Sequence, residues 1–149
     1  MIRIKPSKCH ADFRVTGHNL KPENVSLLLG LRPTVSWIAN EAGEKNCSGI
    51  SSDEGGWILS TRKHIISPAP ENHILWLLDQ MSESSKHFDE LRKKNFLLRL
   101  TVQSYSSSNF LELRISNSTL VRLAEWKMSI YFDCWKKEEF LFEKSKRIR

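Results

Sequence analysis

The chain has 149 residues, 40% hydrophobic and 27% charged, the size and balance of one globular domain that can bury roughly 70% of its unfolded surface without a staple. Cys9, Cys47 and Cys134 are odd in number and far apart, without the spacing of a zinc knuckle or redox motif, and read as reduced thiols of a cytoplasmic protein. The net charge is +6, yet no run approaches the ~20 apolar residues of a membrane span, and the N-terminal MIRIKPSKCH lacks a signal-peptide centre.

Residues 1–10 read as an N-terminal segment, 11–135 as a single domain and 136–149 as a charged tail. ADFRVTG (11–17) alternates, with Phe13 and Val15 on one face and Arg14 and Thr16 on the other, the period of a half-buried strand. In KPENVSLLLG, Pro22 suits the first helical turn and Glu23 the positive end of the helix dipole. Val25, Leu28 and Leu29 then form an i, i+3, i+4 stripe. Gly30 fits the left-handed position that ends a helix, and Pro33 holds Arg32 extended. TVSWI (34–38) resumes as a strand. The Gly- and Ser-rich span 40–56 reads as a loop of about 17 residues, a length that is usually functional or disordered.

GWILST (56–61) is a strand with Trp57 and Leu59 on one face. SPAPENHILWLLDQM starts a second helix near Pro70, with Ile74, Leu77, Leu78 and Met81 as its stripe, and SESSKHFDELRKKN continues as a weaker helix held by Phe88 and Leu91. FLLRLTVQSY (96–105) and FLELRIS (110–116) both alternate around SSSN and predict a hairpin, with Leu111, Leu113 and Ile115 inward. NSTLVRLAEWK predicts a short helix burying Leu120, Leu123 and Ala124, with Asn117 or Ser116 as its cap. MSIYFDCW (128–135) is the last strand, with Cys134 an inert core thiol beside Ile130 and Phe132. The order β-α-β-β-α-β-β-α-β describes an α+β fold: a single domain whose mostly antiparallel sheet carries helices on one face.

No phosphate loop, dinucleotide fingerprint, nucleophile elbow or HExxH occurs, so no catalytic residue, cofactor or metal is expected and the chain reads as non-enzymatic. The five histidines lack ligand spacing. His18, at a strand end, supports only a weak hydrolase reading, and Asp12 and Asp133 could face each other across neighbouring strands. Trp57, Trp76 and Trp126 read as core or core-edge, Trp37 and Trp135 as half-exposed. The positive charge is dispersed, and only EKSKRIR is dense. Against it, NEAGEKNCSGISSDEGG (40–56) sets Glu41, Glu44, Asp53 and Glu54 against the single Lys45, a local reversal of sign.

A strand ending in VTG, then HNLKPENVSLLLGLRPT, a later GW.LS and a closing LVRLAEWKMSIYFDCW together resemble the bacterial domain of unknown function 4279 over about residues 11–135. The resemblance implies a small cytoplasmic protein without established catalysis. Some family members look like immunity proteins encoded beside polymorphic or contact-dependent toxins. The expected function is therefore neutralisation of a cognate toxin domain, a nuclease among the options, with Trp37, Glu41, Glu44, Asp53 and Glu54 as the contact. No membrane or nucleic-acid partner is expected, and the sequence leaves the oligomeric state open. The alternative is a nucleic-acid-binding module using the basic tail and Arg92–Lys94, with salt-sensitive affinity.

Overall fold

The computed structural model describes residues 8–39, 53–106 and 112–136. Strand β1 (Lys8–Gly17) starts earlier than the expected 11 and occupies the middle of a five-stranded sheet. Its alternation puts Ala11, Phe13 and Val15 on one face, none with any exposure. β3 (Gly55–Ser60) and β4 (Leu97–Ser106) run antiparallel on either side, so that Phe13 lies opposite both Leu59 and Leu100, and Val15 opposite Trp57 and Leu98. The short β2 (Val35–Trp37) pairs with β3, and β5 (Ser129–Lys136) pairs with β4, giving the order β2-β3-β1-β4-β5.

Among the described residues four helices accompany the sheet: α1 (Pro22–Leu29), α2 (Pro70–Gln80), α3 (Phe88–Lys93), which follows a 3-10 turn at Ser85–His87, and α4 (Asn117–Glu125). α1 ends as its sequence predicts. Gly30 takes φ 67° and donates its N–H to the Ser26 carbonyl, a conformation that costs a residue with a side chain about 1 kcal/mol or more. Ile74, Leu77, Leu78 and Met81 of the α2 stripe are all fully buried against the Phe13 face, each side chain contributing roughly 1.5–3 kcal/mol. Phe13 stacks on Phe88 of α3 with ring centroids 5.4 Å apart and meets Trp57 edge-on at 6.1 Å, while Phe88 meets Trp126 edge-on at 5.5 Å. Trp57 also donates its Nε1–H to Ser26 Oγ at 2.9 Å, tying β3 to α1.

Polar contacts position the helices as firmly as apolar ones. The Ala11 N–H donates to Thr61 Oγ1 at 2.9 Å, and Thr61 Oγ1 lies 2.8 Å from His73 Nδ1. His73 Nε2 lies 2.9 Å from the Ser67 carbonyl. A carbonyl only accepts, so Nε2 carries the proton and the bare Nδ1 receives the Thr61 hydroxyl. This chain of donors joins β1, the end of β3 and α2, and both Thr61 and His73 are without exposure. On the other side of α2, Glu71 Oε1 accepts from the Ser116 N–H at 2.8 Å and from the Thr119 hydroxyl at 2.6 Å. Ser116 is the N-cap of α4 and accepts from the Thr119 N–H, so a carboxylate of α2 sits on the positive end of α4. The Ser116 hydroxyl, which donates to the same oxygen, and after it the Thr119 hydroxyl and the Ser116 N–H hold the Glu71 carboxyl below its ordinary value.

The predicted hairpin is replaced by a different connection. Residues 112–116, the described part of the expected strand 110–116, form no strand, and β4 instead pairs in parallel with β5, from Arg99 opposite Ser129 to Ser106 opposite Lys136. A parallel pair needs a crossover, which the 112–116 stretch and α4 supply. Leu113 and Ile115 do alternate inward, and Ile115 packs on the core; alternation records a half-buried extended chain, not its pairing. Nor do Leu120 and Ala124 pack inside. α4 docks through Thr119 and Leu123, leaving Ala124 exposed and Leu120 47% exposed, because Glu71 and an Arg122–Asp79 ion pair at 3.0 Å set its orientation.

Candidate functional site

Trp37 closes β2 opposite Gly56 of β3. Its indole lies over that glycine so closely that a Cβ at Gly56 would collide with the six-membered ring of the indole. The Trp37 Nε1–H donates to the Glu54 carbonyl at 2.9 Å. One side chain thus fastens the end of β2 to the start of β3, the two points between which the acidic stretch runs. Glu54 is half-buried with its Oε1 3.7 Å from His18 Nε2, and Asp53 beside it is exposed. Of the five residues expected to form a contact, the structure brings Trp37 and Glu54 together and places Asp53 next to them. Glu41 and Glu44 lie outside the described residues. The result is an indole held in place where β2 meets β3, next to Asp53 and Glu54.

The other groups weighed in the sequence fall elsewhere. Asp12 and Asp133 are not on neighbouring strands, since β4 lies between β1 and β5. The His18 side chain is 73% exposed, with Glu54 its ion-pair neighbour among the described residues. Cys134 is exposed rather than in the core, on β5 at the end of the strand order; Phe132 on the same side is 38% exposed. What burial Cys134 has, together with Asp133, still raises its thiol pKa, and burial raises that of Cys9, which keeps both in the poorly nucleophilic thiol form. Among the described residues no three His, Cys, Asp or Glu side chains converge as metal ligands, and no helix is long and apolar enough to cross a membrane.

A polar group that sequence reasoning missed lies on the sheet face opposite the helices. It comprises His10, Asp12 and Arg14 on β1 with Arg99 and Gln103 on β4. Burial, with the Arg62 charge adding to it, lowers the His10 pKa against the opposing pull of Asp12. The alternation of β1 signals that Arg14 points away from the core, but nothing local says that β4 brings Arg99 opposite it.

No curated protein and no solved structure matches the chain. The profile of a domain of unknown function, DUF4279, matches residues 7–137, an interval that starts just before β1 and ends just after β5. Because that interval holds all five strands and all four helices, the whole described fold is the family's domain, and the chain belongs to the DUF4279 family.

Proposed function

We propose that the chain is a protein-binding protein without chemistry of its own, most concretely an immunity protein that neutralises a cognate bacterial toxin in the cytoplasm. The observation that carries this reading is the Trp37 clamp, in which Nε1 bonds the Glu54 carbonyl and the ring covers Gly56. A rigid indole bordered by carboxylates has the make-up of a hot spot with a charged rim. It fits a partner with a basic surface, such as a nuclease, whose encounter the carboxylates would accelerate. The overall charge of +6 opposes such a partner at long range. The acidic stretch would therefore act within about one Debye length, ~8 Å in physiological salt.

Support for the nucleic-acid alternative is thinner. Arg92 spends its guanidinium on Asp89 at 2.9 Å and on the Trp126 and Lys127 carbonyls at 2.6 and 3.2 Å, and Lys94 pairs with Glu90. The dense basic tail lies outside the described residues. The test is co-purification of the tagged chain with the product of the adjacent gene, followed by titration. A stoichiometric complex is expected, weakened about tenfold or more by Trp37→Ala and by joint replacement of Glu41, Glu44, Asp53 and Glu54 with Ala. Absence of a complex, or a complex indifferent to both variants, refutes the proposal.

A further inference from the structure

Independently of any toxin, the sheet face opposite the described helices carries a set of polar atoms without partners among the described residues. Arg14 and Arg99 sit directly opposite each other across β1 and β4, alternating with the buried Phe13 and Leu100. Like charges opposed on neighbouring antiparallel strands repel. Only one of the two is offset: Arg14 NH2 donates to Asp12 Oδ2 at 3.0 Å. The Arg99 side chain makes no hydrogen bond to a described residue, and its Cζ stands 5.4 Å from the centroid of the Tyr131 ring on β5. The Nε atoms of both arginines are buried and find no acceptor among the described residues.

Two more atoms on this face share that condition. Asp12 Oδ1 lacks a donor although the residue is only 3% exposed, and His10 Nε2 lacks a partner in a residue 8% exposed. Around them, the His10 ring stacks on Tyr105 at 6.1 Å. Arg62 NH2 reaches Gln103 Oε1 at 3.5 Å, and the Tyr105 hydroxyl donates to the same oxygen at 3.4 Å. One strand further out, Tyr131 and Trp135 are 47% and 39% exposed. Asp133 lies between them on the same strand, opposite Gln103 rather than beside the arginine pair.

Folded proteins rarely leave buried polar groups unsatisfied, and these four atoms, two of them on the half-buried side chains of Arg14 and Arg99, define what would satisfy them. Two guanidinium N–H donors on adjacent strands call for an oxyanion that can present oxygens to both. Asp12 Oδ1, beside them, calls for a hydroxyl or amino donor on the same molecule. The exposed rings of Tyr131 and Trp135 offer stacking to a flat group beyond it. A phosphate presents several oxygens in different directions and can meet donors on both strands, whereas a carboxylate presents two in one plane. We propose that this face binds a phosphate ester carried on a hydroxylated, ring-bearing molecule. Arg14 and Arg99 hold the phosphate, Asp12 accepts from a hydroxyl or amino group, and Tyr131 supports the ring.

The same chemistry is offered by a free nucleotide and by a single-stranded nucleic acid, so the test separates them. The full chain, labelled with nitrogen-15, is titrated with inorganic phosphate, adenosine 5′-monophosphate, a short oligothymidylate and acetate, following the arginine Nε–Hε signals. Inorganic phosphate and the nucleotide should move two signals saturably, with the nucleotide the tighter, and these should be the signals lost in Arg14→Gln and Arg99→Gln. Because Arg99 bonds nothing that the fold needs, Arg99→Gln should keep its unfolding midpoint while affinity falls about tenfold or more. Arg99→Lys, which keeps the charge but loses the Nε–H, should fall between, and Lys86→Gln on the helical side should change nothing. Tighter, steeply salt-dependent binding of the oligothymidylate would assign the site to a nucleic-acid backbone and overturn the small-ligand proposal. No movement with any phosphate, equal movement with acetate, or affinity unchanged in Arg99→Gln would overturn it as well.

Discussion

The donor chain Ala11–Thr61–His73–Ser67 makes a quantitative prediction about what holds α2 on the sheet. Thr61→Val keeps the shape of the side chain but removes the hydroxyl. That strands the Ala11 N–H, now 2.9 Å from a methyl, and leaves His73 Nδ1 without its donor at 2.8 Å. Both groups lie at a site with no exposure, so each stranded group costs about 1–3 kcal/mol and the substitution roughly 2–5 kcal/mol. A domain of this size has only about 5–15 kcal/mol of stability in all. His73→Leu removes the ring nitrogens and strands the Thr61 hydroxyl proton and the Ser67 carbonyl instead. Since each single change breaks the shared Thr61–His73 bond, the double variant should cost at least ~1 kcal/mol less than the two singles added together. Urea unfolding followed by tryptophan fluorescence measures all four proteins, with equal slopes confirming that the denatured states are comparable. A Thr61→Val penalty below about 1 kcal/mol, or additivity within ~0.5 kcal/mol, would refute the tautomer and the donor chain built on it.

Three shorter predictions follow from single features. The Glu71 carboxyl is held below its ordinary pKa of 4.5 by bonds from Ser116 and Thr119. Its contribution is therefore full above 4.5 and lost as pH falls through the lower folded value. Glu71→Gln should be less stable than wild type at neutral pH and converge with it in acid; divergence growing toward low pH would contradict the sign. Lys127 follows α4 with φ 52°, so Lys127→Gly should raise stability by about 0.5–1 kcal/mol in the same urea assay. Gly56→Ala should cost roughly 1–3 kcal/mol because the new Cβ meets the Trp37 ring. In a Trp37→Ala background the same change should be neutral to within ~0.5 kcal/mol.

The sequence made the strands and helices legible one by one, and concealed how they meet. Phe13 and Val15, Trp57 and Leu59, and Ile74 to Met81 announce their buried faces through periods of two and 3.6, and all are in the core. Gly30 likewise declares its left-handed stop. The stretch 112–116 misleads because an extended chain lying on a core alternates whether or not it joins a ladder. Leu120 misleads because a helix held by Glu71 and Asp79 need not bury its most apolar stripe. Arg14 and Arg99 stand too far apart in sequence for any local pattern to join them. Their opposition follows from β4 lying beside β1, and the parallel partner β5 then brings Tyr131 to the same place. Trp37 was legible as half-exposed, but its seat on Gly56 was not.

The two proposed surfaces share one sheet face, and their closeness yields a further check. Trp37, Gly56, Thr16 and Leu97 form one row across the strands, and Val35, Ile58, Arg14 and Arg99 form the next. A basic toxin settling on Trp37 and Glu54 would have the arginine pair one row along and two to three strands across, about 10–15 Å away, a range over which charges act at low salt and are largely screened at physiological salt. Removing a positive charge there lowers the barrier to encounter while leaving the contact residues intact, and such rim changes act mainly on the association rate. Arg99→Gln should therefore speed toxin association, about twofold at low salt and less in high salt, in the same protein that loses the phosphate response. Stopped-flow mixing at two ionic strengths reads both. An association rate that falls in Arg99→Gln would mean that the partner is acidic and binds the arginine face, contrary to the orientation argued from Trp37.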